Sequence, residues 1–142
     1  MNQRSGQDVK TFLRTHHLKA TPIRLEILGI FERMQAPMGI PEIHKAVEKS
    51  GMNYVSVYRT VQAFAEAGII RSVNLRHGHT DYELVRNDDH HHLVCTGCGK
   101  IEEFDDCGME DLMKAVLKRT PSFRAITDHA VEFFGTCNVC VK

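Results

Sequence analysis

The chain lacks several features that would place a protein in a class at once. Its 142 residues contain no tryptophan, only four prolines and no net formal charge. No apolar run approaches the roughly 20 residues that a membrane-spanning helix needs. The polar first ten residues do not resemble a secretory signal peptide, and neither low-complexity stretches nor internal repeats occur. We therefore expect a soluble, cytoplasmic protein with one domain or two small ones, and no membrane partner.

The zero net charge conceals an asymmetry between the two parts of the chain. Residues 1–86 carry 12 Lys and Arg against 8 Asp and Glu, a net charge of +4. Residues 87–142 carry 6 against 10, a net charge of −4. A basic half suits a polyanion, and an acidic half that contains histidines suits cations.

Four of the five cysteines form two pairs with the same spacing, Cys95-x-x-Cys98 and Cys137-x-x-Cys140. Thiols stay reduced in the cytoplasm, so paired cysteines there favour a metal over a disulfide. Two pairs supply four thiolates, the ligand set of a structural Zn²⁺ site. A single pair can instead be a redox dithiol, but the second pair argues against that alternative. Cys107 has no partner pair and is expected to be an ordinary small residue.

A second group of potential ligands mixes nitrogen and oxygen donors. Its members lie before, in and after a strand predicted at 80–85, and they are His77, His79, Asp81, Glu83, His90, His92 and Glu103. Asp81 and Glu83 share one face of that strand, as do the two preceding histidines if the strand extends back. Imidazole and carboxylate together suit zinc, iron(II), manganese or nickel. The alternative is that the histidines only form a solvated polar hinge.

Apolar periodicity predicts an α+β chain with two domains. Helices are expected at about 7–16, from Pro22 to the break at Pro37 and Gly39, at 41–50 and at 55–67. Strands are expected at 69–73 and 80–85. That order is typical of a winged helix-turn-helix domain, which we place at 1–86. The second helix is expected to direct one apolar face inward, namely Ile23, Ile27, Ile30, Phe31 and Met34. After a polar hinge at 86–89, strands at 91–95, 100–104 and 130–136 and a helix at 109–118 predict a small α/β domain at 87–142.

The helix at 55–67 has an outer face suited to DNA. The exposed residues between buried Val57 and Val61 are Ser56, Tyr58, Arg59 and Gln62. Arginine reads guanine edges or holds phosphate, and tyrosine and serine reach phosphate or thymine methyls. Without further support, an ordinary amphipathic helix with a charged outer face is the better explanation of this segment.

Taken together, these motifs resemble the ferric uptake regulator family of metal-responsive repressors over nearly the full chain. The matching segments are Leu18-Lys19-Ala20-Thr21-Pro22-x-Arg24, Val57-Tyr58-Arg59-Thr60-Val61, Ala67-Gly68-Ile69-Ile70, Tyr82-Glu83-Leu84, the run from His90 to Phe104, and the terminal cysteine pair. The resemblance implies a homodimer that binds double-stranded, palindromic operator DNA. It places the helix with Ser56, Tyr58, Arg59 and Gln62 in the major groove, and Lys19, Arg24 and Arg76 in supporting DNA contacts.

The resemblance also implies the metal ligands. The sensing site falls on Glu83, His90, His92 and Glu103, and an additional site falls on Asp89, His91, Glu110 and His129. The family often adds a histidine from the loop before the third helix, where this chain has Ala36-Pro37-Met38. We expect His79 to take its place.

The expected function is that of a metal-dependent repressor of metal homeostasis genes, and not of an enzyme. The regulatory metal is expected to be Zn²⁺ or Fe²⁺, with Mn²⁺, nickel or peroxide sensing as weaker alternatives. Two other classes carry similar ligands: a zinc hydrolase or deaminase, and a metal-storage protein. The deaminase signature is missing, because Val94 rather than proline precedes Cys95. A storage protein has no need of the Tyr58-Arg59 helix.

Overall fold

The computed structural model describes residues 6–34, 36–76, 78–86, 90–105 and 108–141, and these contain both helices and sheets. The chain divides into two compact units, Met1–Val85 and Arg86–Lys142. The α+β class expected from the sequence is confirmed. Most of the predicted hinge and Cys107 lie outside the described residues.

The first unit is a helix-turn-helix followed by a β-hairpin. Its helices are α1 (Gly6–Thr15), α2 (Pro22–Met34), α3 (Ile40–Val47) and α4 (Tyr54–Glu66). Its strands are β1 (Met38–Gly39), β2 (Ile70–Val73) and β3 (Asp81–Leu84), in the antiparallel order β1-β3-β2. A 3-10 turn continues α3 as far as Gly51, whose φ of +69° suits a residue without a side chain. The β2–β3 hairpin is the wing.

The core of the first unit lies where α2, α3 and α4 meet. Leu28, Ile43 and Phe64 are fully buried there. Removal of such apolar side chains from water drives the packing of the three amphipathic helices. The predicted inner face of α2 needs one correction. Met34 is 59% exposed, because it is the last residue of the helix, while Leu28 is buried in addition to the expected residues.

Two features of the sheet differ from the expectation. The two-residue strand β1 was not predicted; it forms because Met38 pairs with Tyr82 of β3. The strand β3 begins at Asp81 and does not extend back to His79. Gly78 has a φ of +82°, a left-handed turn conformation that interrupts an extended chain before the strand. His77 lies outside the described residues.

The second unit is a three-stranded sheet with one helix. The elements are β4 (His91–Cys95), β5 (Ile101–Phe104), α5 (Met109–Arg119) and β6 (Glu132–Gly135). The order is β5-β4-β6, with β5 antiparallel and β6 parallel to the central strand. Because β6 runs parallel to β4, both strands lead to the same end of the sheet. The turns that follow them, which carry the two cysteine pairs, therefore lie close together.

The second unit buries little apolar surface within the described chain. No residue of α5 is buried, and the buried apolar residues of the sheet are Val94 and Cys95. The large apolar side chains that are exposed in this unit are Leu93, Leu112, Val116, Phe123, Phe133, Val139 and Val141. The unit thus leaves several large apolar side chains in contact with solvent. Within the described residues, no helix is long and apolar enough to cross a bilayer.

Candidate metal centres and nucleic-acid interface

The four paired cysteines converge on one point at the end of the second sheet. Their Sγ atoms all lie within 4.8 Å of one another, and Cys98 Sγ is 3.7 Å from Cys137 Sγ. Four thiolates at about 2.3 Å from a tetrahedral Zn²⁺ are about 3.8 Å apart. The cluster therefore already has the size of a four-thiolate zinc site.

Backbone amides near the cysteines favour the charged form of one thiol. The Cys137 amide donates to Cys95 Sγ at 3.3 Å. Hydrogen bonds from the amides of Cys137, Cys98 and Gly97 lower the pKa of Cys95 to about 6. Hydrogen bonds with the neighbouring thiols of Cys137, Cys98 and Cys95 raise the pKa of Cys140 to about 12. Four thiolates so close together need a cation, so the donor chemistry fits zinc.

The turn between Cys95 and Cys98 is shaped for close approach of the second pair. A Cβ at Gly97 would lie 3.0 Å from both Cβ and Sγ of Cys140, which is tighter than ordinary contact. The neighbouring Thr96 amide donates to the carbonyl of Gly135 at 2.8 Å. The backbone thus connects the end of β4 to the end of β6 independently of the sulfur atoms.

A second group of ligand atoms lies on the sheet of the same unit. His90, His92 and Glu103 present ligand atoms within 4.8 Å of one another. Glu103 is opposite His92 in the β4–β5 register, and the two imidazole rings are 5.3 Å apart and nearly perpendicular. His90 and His92 are 3% and 2% exposed. Two imidazoles and a carboxylate in a partly buried setting fit an exchangeable divalent metal.

Each carboxylate predicted for the regulatory site is paired with an arginine. Arg86 donates from Nη2 to Glu103 Oε2 at 2.7 Å in the second unit. In the first unit, Arg71 donates from Nε to Glu83 Oε1 at 2.6 Å, because the hairpin register places these two residues opposite each other. Sequence reasoning missed both arginines. The alternation of β2 against β3 was the only signal that pointed to Arg71.

His79 has neighbours of its own in the first unit. Its Nε2 lies 3.2 Å from Asp81 Oδ1 and 3.9 Å from Glu42 Oε2. The side chain of Asp81 is 4% exposed, so this contact is partly sheltered from water. His79 therefore links the wing to the first turn of α3, and its assignment as a metal ligand stays a prediction.

The structure brings together two of the four residues predicted for the additional site. The rings of His91 and His129 are 5.2 Å apart, and His91 Nδ1 is 3.3 Å from the Val131 carbonyl oxygen. The Glu110 side chain is 88% exposed. Asp89 lies outside the described residues. The additional site therefore also stays a prediction.

Helix α4 is held in place by its cap and by its buried face. The side chain of Asn53 accepts a hydrogen bond from the Ser56 amide at 2.9 Å, which caps the first turn. Val57 and Val61 are fully buried. The outer face exposes Arg59 and 48% of Tyr58 to solvent. The inner face of the helix is thus packed against the core, while these two side chains extend into solvent.

The other predicted DNA contacts divide into exposed and engaged side chains. Lys19 and Arg76 are exposed, and Arg24 donates to the Lys19 carbonyl at 3.0 Å. Gln62 donates to the hydroxyl of Tyr82 at 3.3 Å, so it connects α4 to the wing. All of these assignments stay predictions.

Sequence reasoning missed two features at the start of α4. Tyr54 and Val55 are 46% and 56% exposed. His44 of α3 contacts the Tyr54 ring edge-on at a centroid distance of 5.4 Å, and its Nε2 is 3.1 Å from the Met52 carbonyl oxygen. The histidine therefore stabilises the turn that sets the direction of α4.

Comparison with known proteins shows that a single family model spans both units. Residues 15–134 match the family model described as the ferric uptake regulator family. A ferric uptake regulation protein of Legionella pneumophila is 35% identical over 131 residues, covering 90% of this chain and 95% of that protein. The ferric uptake regulator of Vibrio cholerae superposes with a TM-score of 0.77 at 28% identity, covering 90% of this chain and 98% of that one. The Francisella tularensis regulator, determined with iron, gives a TM-score of 0.75 at 28% identity over 87% and 94%.

Proposed function

The chain belongs to the ferric uptake regulator family of metal-responsive transcriptional regulators, and we propose that it is a homodimeric, cytoplasmic repressor that binds operator DNA when a second metal joins a permanent zinc. Membership in this family favours a regulator over the zinc hydrolase, deaminase and storage alternatives. The convergence of ligand atoms from His90, His92 and Glu103, in the same unit as the four-cysteine cluster, is the observation that carries the proposal.

The zinc site is proposed to be a scaffold. Cys95, Cys98, Cys137 and Cys140 would fill all four positions of a tetrahedral ion, which leaves no open position for sensing or catalysis. The second unit has few buried apolar residues, so much of its stability would come from coordination. The cysteine site would also hold β4 in place, the strand that carries His92.

The regulatory site is proposed to consist of His90, His92 and Glu103 together with Glu83. A divalent metal bound there supplies strong, directional bonds to imidazole and carboxylate groups. Because Glu83 belongs to the first unit, coordination would restrain the orientation of the DNA-reading unit. Raising a competent state from about 1% to about 99% requires about 5.5 kcal/mol of differential binding. We propose His79 as a further ligand; to serve, its ring would have to leave Asp81.

The regulatory metal is proposed to be Zn²⁺ or Fe²⁺, with Mn²⁺ as a further possibility. A mixed nitrogen and oxygen set without sulfur is compatible with each of these ions. The relative from Francisella tularensis was determined with iron, which supports Fe²⁺ for this chain. An additional site at Asp89, His91, Glu110 and His129 is supported by the closeness of the two imidazoles.

The partner on the second unit is proposed to be a second copy of the chain. Leu93 and Phe133 are paired neighbours on one face of the sheet and are 44% and 47% exposed. Helix α5 of the same unit carries two more exposed apolar residues, Leu112 and Val116. A two-fold dimer buries the same surface on both copies and presents two α4 helices. Such a dimer would match a palindromic operator, in which Ser56, Tyr58, Arg59 and Gln62 face the major groove, supported by Lys19, Arg24 and Arg76.

A pair of adjacent glutamates offers a matched test of this function. Glu103→Gln removes a charge from the proposed regulatory site, whereas Glu102→Gln makes the same change on the opposite face of β5. We expect the wild-type protein to retain one zinc per chain after purification and to bind selected operator DNA only after Zn²⁺, Fe²⁺ or Mn²⁺ is added. Glu103→Gln and His92→Ala should keep the zinc but lose the metal-dependent binding in a gel-shift titration. If His92→Ala kept metal-dependent binding, this mechanism would be wrong.

A further inference from the structure

The first turn of α4 exposes an apolar side chain that the domain does not use. Val55 is 56% exposed, while Val57 and Val61, on the opposite side of the helix, are fully buried. Val55 lies on the same outer face as Tyr58 and Arg59, because residues three and four positions apart are neighbours on a helix. The outer face of α4 therefore combines an aliphatic, an aromatic and a cationic group.

Helix stability does not account for this valine. β-Branched residues lose side-chain freedom in a helix and are poorer helix formers than alanine. More than half of the surface of Val55 remains in water, so packing of this residue contributes little to stability. The adjacent Tyr54 differs, because its ring is in contact with His44 of α3. Val55 is thus available for contact with a binding partner.

The position of Val55 indicates which partner. In helix-turn-helix proteins the N-terminal residues of the motif's second helix, which is α4 in this chain, contact base edges in the major groove. The only apolar group on any of those edges is the C5-methyl group of thymine. The net charge of +4 on residues 1–86 and the exposed Arg59 favour DNA over a second protein surface.

We propose that Val55 determines sequence specificity by packing against the C5-methyl group of one thymine in each operator half-site. This inference rests on the proposed function and adds a residue to its DNA-reading surface. A cytosine or a uracil at that position would leave the valine methyls against a polar or empty edge.

Replacement of thymine by uracil tests the contact, because it removes one methyl group and leaves every hydrogen-bonding group in place. The probe is a duplex selected from random DNA by the full-length protein in the presence of Zn²⁺, Fe²⁺ or Mn²⁺. Each thymine is then replaced by deoxyuridine in turn. For the wild type we expect at least one position per half-site at which affinity falls about fourfold, the usual effect of one buried methyl group. Replacement in both half-sites should give roughly the square of that factor.

Val55→Ala should bind the thymine duplex more weakly and should be indifferent to uracil at that position. Losses at other thymines should remain. Val55→Thr, which keeps the shape of the side chain but replaces a methyl by a hydroxyl, should fall between the two proteins. Met34→Ala, another exposed apolar residue at 59% exposure, should reproduce the wild-type uracil profile.

The outcomes separate this inference from the function on which it rests. Metal-dependent binding with a flat uracil profile, or an unchanged profile in Val55→Ala, would overturn the thymine contact alone. A Val55→Ala protein that loses dimer assembly in sedimentation would overturn it in favour of a protein interface. Failure to bind any selected duplex would overturn both the repressor function and this contact.

Discussion

Arg86 donates a 2.7 Å hydrogen bond from Nη2 to Oε2 of Glu103. The two side chains are 32% and 33% exposed, so the ion pair is partly shielded from solvent. Glu103 lies opposite His92 in the sheet, which makes the arginine a neighbour of the proposed regulatory site. A divalent ion at that site would have to compete with the guanidinium for the carboxylate.

Arg86→Ala is therefore expected to tighten binding of the second metal. A pair with this exposure contributes on the order of 1 kcal/mol or less, so the dissociation constant should fall about two- to fivefold. Removal of a nearby positive charge acts in the same direction. Competition between the protein and a chelator for Zn²⁺ or Mn²⁺ measures the change. Lys100→Ala is the control, because Lys100 pairs with Glu102 rather than with a proposed ligand. Weaker metal binding by Arg86→Ala would mean that the arginine instead orients Glu103 for coordination.

Gly97→Ala is expected to loosen the zinc site. The added Cβ would lie 3.0 Å from Cβ and Sγ of Cys140, so the second cysteine pair would have to move by a few tenths of an ångström. Zinc release to a colorimetric chelator should become severalfold faster, since metal geometry depends on such close positioning. Gly135→Ala provides the matched control, because its Cβ would make only an ordinary 3.7 Å contact with Leu93 Cδ1. Equal release rates for the two variants would contradict a geometric role for Gly97.

Phe133→Asp is expected to shift the protein from dimer to monomer. The phenylalanine is 47% exposed on β6 and contacts the Phe104 ring at a centroid distance of 5.6 Å. A carboxylate buried at the proposed interface would lose its hydration without gaining a partner. Sedimentation equilibrium should show the dissociation constant of the dimer rise at least tenfold. Met34→Asp makes the same kind of change on an exposed residue of the first unit and should leave assembly unaltered. A stable Phe133→Asp dimer would place the interface elsewhere.

Local patterns predicted most of the helices, since their signals lie within a few residues. The predicted helix at 55–67 corresponds to α4, Tyr54–Glu66, because a cap at Asn53 and buried residues at helical spacing define it. The strand β1 was missed because two residues at 38–39 carry no pattern of their own. They become a strand only through pairing with β3. Met34 shows the opposite error, because it fits the helical period of α2 but stands at the end of the helix.

The chain's sequence alone determined the kinds of ligand and their local spacing. Two residues between paired cysteines suffice for a turn that presents both sulfurs. The alternation of side chains along β4 places His92 and His91 on opposite faces of the sheet. Only the tertiary structure decided which of these groups meet. The parallel pairing of β6 with β4 brings Cys98 within 3.7 Å of Cys137, and the register of β5 brings Glu103 to His92 with Arg86 at its carboxylate. These contacts depend on the strand register between distant segments. The packing of the whole unit sets that register, and no local sequence pattern predicts it.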